Sequence, residues 1–84
     1  MTKEKLLEMV STADKIIRSG YNFAEDGGLT VLQNDALRQL ECIKNDIMIG
    51  KTSSFLELEI AVENSDINYF VDMEGIRNET KGES

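Results

Sequence analysis

The sequence predicts an all-α protein, a small three-helix domain over residues 1–75 followed by a disordered polar tail at 76–84. Three observations carry that expectation. Apolar residues recur at helical spacing through two long segments. Hydroxyl residues followed three positions later by Gln or Glu mark two helix starts. Glycines stand where both long segments should end.

The first helix is expected over 3–19. Leu6, Val10, Ala13 and Ile17 form one stripe with Met9 and Ile16 beside it, and Lys5, Glu8, Thr12, Lys15 and Arg18 fill the polar side. Gly20 is the expected left-handed stop, with Lys15 and Arg18 near the negative end of the helix dipole. Residues 21–28 read as a loop in which Tyr21 and Phe23 fold back onto the core and Asp26-Gly27-Gly28 turns the chain. The loop lacks the alternating ligands and terminal Glu of a calcium-binding EF-hand.

The second helix is expected over 31–49. Thr30 and Gln33 make a capping box, Ala36, Leu40, Ile43 and Ile47 make the main stripe, and Leu32 and Leu37 lie beside it. Gly50 ends it, and 51–53 connect to the next element.

Residues 54–74 read as a third helix, kinked near Asn64-Ser65-Asp66. Ser54 and Glu57 suggest a second capping box. Phe55, Leu58, Val62, Tyr69 and Met73 form one stripe, and Leu56, Ile60, Ile67 and Val71 a second. The alternative is an α+β fold with a C-terminal β-hairpin at 55–74. Leu56, Leu58, Ile60 and Val62 also alternate with polar or small residues, as do Ile67, Tyr69, Val71 and Met73. The helix is favoured because the hairpin would set Glu57 opposite Asp72, and because Leu, Glu and Ala dominate the first half.

Size and composition exclude several function classes. A chain of 84 residues buries about 60% of the surface that it exposes when unfolded, so one thin core is expected, which a second copy of the chain could complete. There is no His and one Cys, which removes the commonest general base, any internal disulfide and Cys-rich metal sites. Gly27-Gly28 lacks phosphate-loop spacing. The expectation is a non-enzymatic protein with no catalytic, metal or cofactor residues. No apolar run approaches the ~20 residues of a membrane span, and the N-terminal residues do not resemble a signal peptide, so no membrane insertion and a reducing cytoplasmic location are expected.

Charge is the most informative feature. The chain has 9 Lys+Arg against 16 Asp+Glu, a net charge of -7. Residues 52–75 hold Glu57, Glu59, Glu63, Asp66, Asp72 and Glu74 and no Lys or Arg, so this segment supplies nearly all of the imbalance. A solvated face that keeps a small protein soluble explains this. So does an acidic docking surface for a basic partner. Mimicry of DNA is remote, since a duplex carries a charge per about 1.7 Å. Direct nucleic-acid binding is disfavoured because the basic residues are scattered among acids.

Apolar residues are also left over. Val31, Cys42 and Ile49 lie opposite the main stripe of the second helix, and the second stripe of the third element exceeds what one seam needs. A dimer interface, a partner groove or a third helix buried on both sides would each absorb them. Cys42 reads as a small apolar packer without a base to activate it. The pairs Glu57/Glu59 and Glu63/Asp66 lack a recognised catalytic or cation-binding spacing.

Small size, strong acidity, no Pro and no catalytic set make the chain similar in general character to accessory regulators of phages and bacteria. Such a resemblance implies a protein that binds and modulates one other protein; it carries no motif and assigns no residue. The expected function is therefore protein binding by a small acidic regulator or inhibitor whose partner has a basic or apolar surface. Leu56, Ile60, Ile67 and Val71 would supply affinity, and Glu59, Glu63, Asp66 and Glu74 steering. A structural homo-oligomer, such as a homodimer, is the alternative.

Overall fold

The computed structural model describes residues 2–19 and 30–81. Helix α1 runs Lys3–Ser19. The Thr2 hydroxyl accepts from the Lys5 N–H at 3.2 Å and caps its start. Leu6, Met9, Val10, Ala13 and Ile17 are buried, as their spacing predicts, and Ile16 is half-buried.

Helix α2 runs Val31–Met48 behind the full Thr30–Gln33 capping box. Ala36, Leu40, Ile43 and Ile47 are all buried. Gly50, at φ +85°, takes the left-handed conformation that turns the chain out of the helix. The two helices run antiparallel and are tied at both ends. The Gln33 Nε2 donates to the Ile17 carbonyl at 2.7 Å, and the Lys3 Nζ donates to the Met48 carbonyl at 3.0 Å. The second bond sets a cation against the negative end of α2.

The segment from 54 to 74 is mostly helical, but it is not one helix. Helix α3 spans Phe55–Glu63, a 3-10 turn spans Asp66–Tyr69, and helix α4 spans Met73–Lys81. Among the described residues no strand forms, so the hairpin alternative is not supported, and three helices become four. Ser65 makes the break at the site expected for a kink. Its hydroxyl donates to the Val62 carbonyl at 2.8 Å and accepts from the Ile67 N–H at 3.3 Å, ending one helix and starting the next turn. Gln39 fixes that turn to α2: its Oε1 accepts from the Asp66 N–H at 2.7 Å and its Nε2 donates to Asp66 Oδ2 at 3.1 Å.

The break resets the helical phase. Ile67 and Val71, expected on an outer stripe, are core residues at 0% and 4% exposure, whereas Tyr69, expected on the inner stripe, is 75% exposed. In a turn of three residues, Asp66 and Tyr69 share one side and Ile67 and Phe70 the other.

The tail boundary is also corrected. Residues 76–81 are mostly polar, as expected, but belong to α4 and not to a disordered tail. Asp72 Oδ1 accepts from the Glu74 N–H at 3.1 Å, and Met73 and Ile76, three apart, bury one side of the helix. Residues 82–84 lie outside the described residues. So do the expected stop at Gly20, the loop at 21–28 and the inward packing of Tyr21 and Phe23.

Gln33 is fully buried and bonded on both sides of its amide. Gln33→Ala removes a cap and leaves the Ile17 carbonyl without its donor, for a combined cost of about 2–3 kcal/mol. The melting temperature should fall on the order of 10 °C. A fall of less than about 3 °C would show that the clamp is dispensable.

Candidate functional site

Helix α3 is short and covered on one side only. Leu58 and Val62 bury against the core, while Phe55 and Ala61 are half-buried. The opposite side carries Leu56, 63% exposed, and Ile60, 47% exposed, one turn apart. Glu63 follows about one turn after Ile60 on the same side. Glu59 is half-buried along one flank, and exposed Glu57 stands on the other. The result is a convex ridge with two apolar side chains and three acids within nine residues.

Local chemistry explains why this helix starts here. The Ser54 hydroxyl accepts from the Glu57 N–H at 3.2 Å, which is half of the expected box. The Glu57 carboxylate does not return to the cap backbone; it accepts from the Ser54 and Ser53 hydroxyls at 3.2 and 3.4 Å. Positive charge reaches α3 from α4, where the Arg77 guanidinium lies 4.9 Å from the centre of the Phe55 ring.

Four of the eight residues expected to form a partner surface therefore come together: Leu56, Glu59, Ile60 and Glu63. The other four do not join them. Ile67 and Val71 are in the core. Asp66 is half-buried and engaged by Gln39. Glu74 is exposed in the first turn of α4, where a carboxylate favours the positive end of the helix. Exposed apolar residues also stand at both ends of α2, with Val31 at 78% and Ile49 at 73%, as the stripe count predicts. Cys42 is exposed on the side of α2 turned away from its buried stripe.

A second feature escapes sequence reading. An open groove of about 360 Å³ runs between α1 and α2, floored by Leu7, Val10, Leu37 and Leu40. Its rim holds Asp14 and Glu41 against Arg18 and Lys44. Asp14 already binds Arg18 at 2.9 Å, so the rim is balanced in sign and selects no ligand charge. The half-buried Leu7 and Leu37 are the only trace in the sequence, since each flanks a main stripe. No group of three or more His, Cys, Asp or Glu side chains is placed to hold a metal ion among the described residues. Nor is any helix among them long and apolar enough to cross a membrane.

Exposure separates ridge from core, and substitutions should show it. Leu56→Ser and Ile60→Ser should each change unfolding free energy by no more than about 0.5 kcal/mol. Ile67→Ala should cost about 2–5 kcal/mol, read from urea midpoints. Equal losses at Leu56 and Ile67 would mean that the ridge is not a free surface. Compared with known protein families, curated proteins and solved structures, the chain matches none.

Proposed function

We propose that this chain is a non-enzymatic binding module that regulates another protein through the outer side of α3. The observation that carries the reading is the pairing of Leu56 and Ile60, exposed one turn apart, with Glu59 and Glu63 beside them. A convex apolar ridge on a helix fits a concave apolar groove, with the two side chains as anchors. Flanking carboxylates favour a groove rimmed by Lys or Arg and raise the rate of encounter. The module would act by occluding that groove or by recruiting its owner, as small accessory regulators of phages and bacteria do. The setting consistent with one free cysteine is a reducing cytoplasm.

The test is capture of partners by the tagged full chain at low and high salt, with the Leu56→Ser/Ile60→Ser double variant in parallel. One near-stoichiometric partner, reduced at high salt and lost with the double variant, is the expected result. Glu59→Lys/Glu63→Lys should then lower the association rate on the order of tenfold and flatten its salt dependence. An unchanged rate and salt slope would remove the steering role of the acids. Recovery of the chain's own untagged copy alone would replace this reading with a homo-oligomer. A basic DNA-binding protein displaced by DNA would replace it with nucleic-acid mimicry.

A further inference from the structure

We propose that α4 is a latch, an element that opens independently of the other helices and uncovers Phe55 when it does. Its use in binding rests on the reading of α3 as a partner ridge; its opening does not.

Helix α4 has nine residues, fewer than the 12–15 or so at which an isolated helix becomes even marginally stable, so its order depends on what it touches. Met73 and Ile76 are buried in the common core, α4 packs on α1, and Arg77 lies on the Phe55 ring. The residues before it, Val71 and Asp72, are not helical, so α4 is an element separate from the 3-10 turn.

Gly75 adds the observation that points to opening. Among the described residues positive φ is confined to Gly50, so the backbone at Gly75 suits any residue. A Cβ at Gly75 would meet only the Asp72 side chain, at 3.5 Å, an ordinary contact. Neither conformation nor space calls for glycine. Its presence weakens the helix about twofold to fivefold in its folding equilibrium relative to alanine. Helix α4 is thus less stable than its surroundings allow.

Opening has two consequences for α3. The Phe55 ring loses the Arg77 guanidinium that lies over it and, next to Leu56, lengthens the apolar ridge toward the start of the helix. The Arg77 charge leaves the acidic side, so the carboxylates there attract a basic partner more strongly.

Hydrogen exchange of the full chain, followed by mass spectrometry, tests the latch without any partner. Amides of residues 76–78 should exchange at least about tenfold faster than those of the buried stretches of α1 and α2. Gly75→Ala should slow exchange in α4 about twofold to fivefold and leave α1 and α2 unchanged. Arg77→Ala should speed exchange in α4 alone. Protection of α4 equal to that of α1 and α2, or slowing by Gly75→Ala in all helices together, would overturn the proposal. A failure of partner capture would leave these rates as they are, so the two readings fail separately.

Discussion

The side-chain amide of Gln33 is the point on which the helix pair depends. Its oxygen accepts from the Thr30 N–H and hydroxyl, and its nitrogen donates to the Ile17 carbonyl. A residue of the α2 cap is thereby also the partner that satisfies a carbonyl of α1. Near a helix end the last carbonyls have no partner within the helix, and burying one unpaired is costly. Gln33 removes that cost for Ile17 and fixes how far α2 is displaced along α1. The buried stripes of the two helices then meet in register, and Lys3 closes the other end on Met48. The paired stripes form the floor on which α3, the 3-10 turn and α4 pack.

The second half of the chain is organised by oxygen atoms on short side chains. Ser54, Ser65 and Asp72 each take up a backbone N–H at the start of a helical turn. The chain contains no proline, so these side chains set the breaks. Each break rotates the later turn relative to the earlier one. This is why the outer ridge of α3 ends at Glu63 and the next apolar residue, Ile67, points inward.

The stripes of α1 and α2 are legible in the sequence because their periodicity is uninterrupted and because Thr30 and Gln33 form a local signature. Gln33 reads as a cap, but its bond to Ile17 lies 16 residues away and has no local sign. The split of 54–74 is visible as a kink and not as a reset, since a wheel drawn through Ser65 assumes one continuous phase. That single assumption misplaces Ile67, Val71 and Tyr69 together. The candidate site is smaller than the acid count implies, because Asp66 serves the fold through Gln39. The first turn of α4 is hidden for a different reason. Ile76 is one apolar residue in a polar stretch, and its burial depends on helices far away in sequence.

The lone thiol has a practical meaning for work on this protein. Cys42 is accessible, it is the chain's one cysteine, and it sits on the back of α2. A fluorophore or spin label attached there is homogeneous without any engineered site. It occupies neither the ridge of α3 nor the seat of α4, and so can report on events at both as a distant reference point.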